Sequence, residues 1–377
     1  MSVILRYISV IMIFLAVVFI TSDVTMAQTN DNNYIDDYTY EESYKEINEI
    51  LRNNGWKGDD FEQIVSTAAS GDTSWNLHLT ETIAEAITDN RYVILQIIFL
   101  SVCAAFLGAI DKNTSDAAML FISLIMMTLL ITVFIDAAAT GHKCIKMAIE
   151  IYRALCPVFF PAVAYSCGTG SAAAYYEIVL FLMYIVNSFI AGVLFKGNYI
   201  YMLLGLADTF GDKEKFGRMC ELIKKIIRKS VKGILMFFLG LSGIKSLIIP
   251  VSDSLKMSFL FKTVSMIPGL GDSASTVSKT VIGSAVMVKN SIGVAAVIVM
   301  LIIVGIPVIK LIVMAVVYQF IAAFLQPVTE KRIVKSIAVL SDGLENLIYM
   351  VAVTVVLMCL TMAIICFATN INMYQTG

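Results

Sequence analysis

Apolar positions fall into long runs that polar turns interrupt. They are nearly continuous over Val93 to Ile110, Ala117 to Ala138, Tyr175 to Phe195, Gly233 to Pro250, Ser291 to Leu325 and Leu344 to Ala368. About twenty apolar residues suffice for a helix to cross a hydrocarbon core of roughly 30 Å. Lipid offers the backbone no hydrogen-bond partners, so each run must be helical. Two further runs are less regular. Ile145 to Ser166 carries Lys146, Glu150 and Arg153 in its first half and Pro157 and Pro161 in its second, which predicts an interfacial helix leading into a kinked or discontinuous span. Tyr199 to Ala207 is short for a crossing. Ser291 to Leu325 is too long for one straight crossing, and Pro307 is its candidate kink or break. The pattern predicts an all-α polytopic integral membrane bundle of about eight spans, the third and fifth being the two irregular runs.

Ahead of these spans the pattern changes. Arg6 precedes the apolar run Ile8 to Ile20, and Thr25-Met26-Ala27 fits the small-residue pattern of signal-peptidase sites. Residues 1–27 read as a cleavable signal peptide, with an uncleaved anchor helix as the alternative; either one exports the segment after it. Residues 28–90 open with Asn30 to Tyr44, a polar tract without an apolar period that is expected to be disordered. Beyond it, Ile47, Ile50 and Leu51, then Phe61, Ile64 and Val65, recur at helical spacing. They predict one or two short amphipathic helices on the outer membrane face or on a partner. Trp56 and Trp75 suit an interface or packing within a helical hairpin.

Charge sharpens this plan. Only 15% of residues are charged and the net charge is -2, yet residues 28–90 hold fourteen acids against Lys45, Arg52 and Lys57, while residues 91–377 carry a net +9. The organisation expected is therefore a signal (1–27), an exported acidic, partly disordered segment (28–90) and a polytopic membrane domain (91–377). Within that domain, 208–232 reads as a basic amphipathic helix at the cytoplasmic surface, where Lys224, Lys225, Arg228 and Lys229 form a candidate lipid or partner surface. Lys and Arg are retained on the cytoplasmic side, so 208–232 and 329–343 are placed inside, and parity then puts the C-terminus outside. Lys256, Lys262, Lys279 and Lys289 in 251–290 run mildly against this scheme.

Little in the chain suggests catalysis. The seven cysteines lie in or beside apolar or basic stretches and none falls in the exported segment, which excludes a disulfide framework there. With His78 and His142 alone, no Cys/His cluster has metal-ligand spacing. Gly168-Thr169-Gly170 and Gly269-Leu270-Gly271 open loose G-x-G-x-x-A matches, but neither follows a strand, so they read as turns or close helix packing. No P-loop, zincin motif or nucleophile elbow is present. No enzyme activity, cofactor, metal or nucleic-acid partner is expected. Lys245 and Lys310 stand out as candidate intramembrane polar sites, because a charge inside a span needs a partner or a water-filled cavity; snorkelling to an interface is the alternative for each.

The C-terminal half carries a family resemblance. Ile267-Pro268-Gly269-Leu270-Gly271, Lys289-Asn290-Ser291-Ile292-Gly293, Pro307-Val308-Ile309-Lys310 and Ala322-Ala323-Phe324-Leu325-Gln326-Pro327 follow in the order and spacing of the stage III sporulation protein AE family. Ile178 to Met183 and Phe238-Leu239-Gly240 agree with it upstream, and the similarity covers roughly residues 75–370. The resemblance implies a component of the stage III A sporulation assembly in the mother-cell membrane that engulfs the forespore. Its partners would be the other stage III A proteins, including an ATPase-like component, and forespore protein Q. Together they would form a channel or secretion-like conduit that sustains late forespore development. The competing expectation is a stand-alone secondary transporter or permease with Lys245 or Lys310 at its site.

Overall fold

A computed structural model describes residues 37–53, 60–70, 79–107, 112–167, 181–211, 215–240 and 271–368. Among these residues there is no strand, and the helices are α1 (Asp37–Asn53), α2 (Phe61–Ser70), α3 (Leu79–Leu107), α4 (Lys112–Cys167), α5 (Phe181–Phe210), α6 (residues 217–240), α7 (Gly271–Leu325) and α8 (Lys331–Ala368). Five stretches are long and apolar enough to cross a membrane: Ala84–Leu107, Ala118–Leu155, Phe181–Phe210, Ile292–Leu325 and Lys331–Met362. The signal, Trp56, Trp75, the glycine-rich stretch 168–174, Lys245 and the loop 251–270 lie outside the described residues.

The all-α membrane fold stands as the apolar runs predict, but the helices are longer and fewer. The run with Lys146, Glu150 and Arg153 is not a separate interfacial helix: it continues the second span inside α4, which passes Pro157 and Pro161 to Cys167. Tyr199 to Ala207 likewise continues the preceding run, joined through a single π-turn at Ile190–Leu194. α7 stays helical across Pro307. Hydroxyls inside these helices bond the carbonyl one turn back, as in Thr128 to Leu124, Thr132 to Thr128, Thr354 to Met350 and Thr361 to Leu357. Such bonds let a polar side chain sit in an apolar helix without an orphaned donor.

Side-chain registers fix the helix directions. Ser341 bonds Ala315 and Cys359 touches Met300, so α7 and α8 are antiparallel. Asn198 with Gly343 and Tyr201 with Asp342 run α5 against α8. Gly141 beside Val351, and Phe134 beside Gly343, run α4 along α8. Lys310 with Glu85 and Thr329 with Ser101 set α3 parallel to α7. Thus α3, α5 and α7 point one way and α4 and α8 the other. α6 runs along α8, from Lys224 beside Asp342 to Arg228 beside Glu345, and so opposite to α5.

Small residues let the central helices approach. A Cβ on Gly205 would lie 2.6 Å from Val339, one on Gly343 3.1 Å from Phe134, and one on Gly141 3.3 Å from Phe195. Without a hydrophobic driving force between helices in lipid, such contact is what holds a bundle together. The N-terminal helices pack on this core: α1 lies on α4 and α2 on α7, with Ile47, Leu51, Phe61 and Ile64 fully buried. α1 begins at Asp37, inside the tract expected to be disordered, and Tyr44 meets Phe61 edge-on at 5.1 Å. Asp60 and Gln63 cap α2, the Asp60 N–H donating to Gln63 Oε1 at 3.2 Å.

Candidate functional site

The π-turn in α5 is followed by Phe195, Asn198, Tyr201, Met202, Gly205 and Asp208, a stripe of helical spacing that faces α4, α6 and α8. Asn198 is fully buried; its Nδ2 donates to the Gly343 carbonyl at 2.9 Å, and its Oδ1 accepts from the equally buried Asn346 at 3.1 Å. Asn346 Oδ1 in turn accepts from Arg228 Nε at 3.4 Å, and the Arg228 guanidinium binds Glu345 at 2.7 Å. One turn toward the start of α8, Asp342 binds Lys224 at 2.6 Å and accepts from the Tyr201 hydroxyl at 3.3 Å. Asp208, also buried, accepts from the Phe216 N–H at 2.6 Å and faces Lys335 at 3.5 Å. Three carboxylates and three cations are thereby interleaved among α5, α6 and α8. Each buried charge has an opposite charge in contact, the condition under which such groups persist in a low-dielectric interior.

A second cluster joins α3 to α7. Lys310 Nζ lies 3.2 Å from Glu85 and 3.6 Å from Asp89, two carboxylates one turn apart on α3. Lys310 is about one-third exposed, and both acids are about two-thirds exposed.

The Asp342–Glu345 end of the first cluster shares a height with the second, and the Asp208–Lys335 pair lies about 15 Å from Glu345 along α8. Ser341 and Ala315 are in contact; Lys310 lies five residues along α7 from that point and Glu345 four along α8, each a displacement of about 7 Å in the same direction. Exposed charges elsewhere fall at this level too, among them Asp136 near the Phe134–Gly343 contact, Lys196 beside Asn198, and Lys225 and Lys229 beside Lys224 and Arg228. The molecule thus carries a charged layer about midway along the Ile292–Leu325 and Lys331–Met362 spans.

This arrangement redistributes the residues singled out in sequence. Of the basic set on α6, Lys224 and Arg228 turn inward to Asp342 and Glu345, whereas Lys225 and Lys229 are exposed. Lys310 meets Glu85 and Asp89, and Lys245 lies outside the described residues. Pro157, Pro161 and Pro307 sit within continuous helices. Asn198, Tyr201, Asp208, Asp342, Glu345 and Asn346 escaped sequence reasoning. The available signal was a set of polar residues at helical spacing within apolar or amphipathic segments. Among the described residues no group of three His, Cys, Asp or Glu could hold a metal ion.

Long apolar helices alternating in direction, with paired charges buried between them, define a multi-pass α-helical membrane protein. A family model described as Stage III sporulation protein AE matches residues 60–369, and the chain belongs to that family. It is similar to the stage III sporulation protein AE of Bacillus subtilis (strain 168), 24% identical over 283 residues that cover 74% of this chain and 71% of that protein. No solved structure matches it.

Proposed function

We propose that this chain is a membrane-embedded structural component of the stage III A sporulation assembly, in the mother-cell membrane around the forespore, and contributes to a channel or secretion-like conduit. The observation that carries this reading is the family match across residues 60–369, nearly the whole bundle. The bundle supplies apolar helices and internal ion pairs, and an ATPase-like partner would supply energy. Forespore protein Q would meet it from the other side. Residues 28–90 and the C-terminus would be exported, and the ends of α5 and α7 would face the mother-cell cytoplasm.

Removing the chain from sporulating cells is expected to arrest forespore development, and a tagged chain is expected to co-purify with other stage III A proteins and with protein Q. Normal spore yield without the chain overturns the proposal. Arrest with a chain that purifies alone favours the second reading, a stand-alone secondary transporter, to which the charged layer at mid-span gives a specific basis: discontinuities and charges at that depth are where such proteins bind their substrates.

A further inference from the structure

Exposed apolar surface extends to both sides of the charged layer, in two bands that meet at its level through Ile87, Ile135, Ile200, Leu222 and Ile226. On α3, Tyr92, Leu95, Phe99 and Phe106 lie on the side of the layer toward Thr329, reaching about 25 Å beyond Asp89. On α5 and α6 the exposed apolar residues Phe181, Tyr184, Met236 and Phe237 lie on the other side, with Phe181 about 25 Å beyond Asn198. The two bands together span about 50 Å, against a hydrocarbon thickness of roughly 30 Å. A flat bilayer placed to cover either band leaves the other outside; placed midway, it puts exposed charges in hydrocarbon. A protein partner over part of this surface removes the mismatch.

Charge identifies what covers it. At the level of the layer, α3 shows Glu85 and Asp89, two accessible carboxylates against the single Lys310. At the same level α6 shows Lys225, Lys229 and Lys232, exposed at spacings of four and three residues and so on one face. Lys225 and Lys229 are turned about 100° from Lys224 and Arg228, which bind Asp342 and Glu345, while Lys232 lies one turn beyond Arg228; Leu222 and Ile226 lie exposed beside them. α3 packs on α4 and α7, whereas α6 packs on α5 and α8, so the acidic and basic edges lie on different flanks of the bundle. The two helices also run in opposite directions, the carboxylates extending over about one turn and the lysines over about two.

We propose that the acidic edge of α3 in one copy docks on the basic edge of α6 in a second copy, side by side at equal height in the membrane. This contact brings the exposed carboxylates and lysines together and covers apolar surface that a flat bilayer leaves unmatched. It is head-to-tail, so repeated contacts close into a ring or extend as a row.

The test uses the full chain with two different tags, co-expressed and captured from solubilised membranes by one tag. Wild-type copies are expected to co-capture each other. Lys225→Gln, Lys229→Gln and Lys232→Gln together leave the internal ion pairs intact and are expected to abolish co-capture at unchanged membrane abundance. A copy with Glu85→Lys and Asp89→Lys and a copy with Lys225→Glu and Lys229→Glu should each fail to self-associate. Mixed, they should regain association, because the unaltered edges meet and the two reversed edges are again of opposite charge. In a chain freed of native cysteines, Asp89→Cys on one copy and Lys229→Cys on the other should give an oxidation-dependent dimer. Wild-type copies that fail to co-capture, co-capture that survives the three glutamines, or absence of the cysteine dimer overturns the proposal. Retained co-capture with loss of bound anionic phospholipid assigns the basic edge to lipid instead.

Discussion

Gly205 is the tightest point between α5 and α8: a Cβ there would meet Val339 at 2.6 Å, well inside ordinary contact. The neighbour is a β-branched side chain, which has little rotamer freedom in a helix with which to move away. Gly205→Val is therefore expected to force the two helices apart and strain the chain of bonds from Asn198 through Asn346 to Arg228, destabilising the bundle by about 1–3 kcal/mol. A lower thermal midpoint of the detergent-solubilised chain would show it, whereas Gly192→Val, at a site with open space around it, serves as the neutral control. Equal midpoints for the two variants would mean that α5 and α8 do not approach as closely as described. At this scale sequence was a poor guide. Gly205 is one glycine among twenty-two, and nothing local marks it apart from Gly192.

At the scale of elements, α3 and α7 are joined by Lys310 with Glu85 and Asp89 near one level and by the Thr329 hydroxyl on the Ser101 carbonyl at another. Both acids of the first contact lie within the Ala84–Leu107 stretch of α3. Lys310→Met keeps the length and removes the charge, and is expected to lower spore yield at unchanged protein level; Lys310→Arg should be milder. Lys310→Glu places a third negative charge against α3 and should be the most severe. Combining it with Glu85→Lys and Asp89→Lys should recover part of the loss. Wild-type spore yield with methionine at this position would return Lys310 to the snorkelling role.

For the whole molecule the prediction is topological. The helix directions place the start of α3 and the end of α8 at the same side of the bundle, and a cytoplasmic start of α8, where Lys331, Arg332 and Lys335 lie, would make that side external. Single cysteines at Ser70 and Thr376, in a chain without its native cysteines, should both react with an impermeant reagent in intact cells. Protection of Thr376 would require an unequal number of crossings and defeat the arrangement. Merging the two irregular runs into their neighbours removes two crossings at once, so six crossings would carry the same parity as the eight expected from sequence.

Sequence by itself determined that this is an all-α membrane protein, because apolar run length and the obligation to satisfy backbone hydrogen bonds in lipid are properties of local segments. Its ordered motifs were enough to indicate the family. It also flagged Lys310 as a charge that needs a partner, a water-filled cavity or a route to an interface, since the cost of a charge in an apolar helix depends on its immediate surroundings. Tertiary structure alone decided who that partner is, because Glu85 and Asp89 lie more than two hundred residues away along the chain. It likewise divided the basic helix into an inward pair, Lys224 and Arg228, and outward Lys225 and Lys229, although all four look alike in sequence. Periodicity can place residues on one face of a helix, but which face is buried depends on the neighbour it meets.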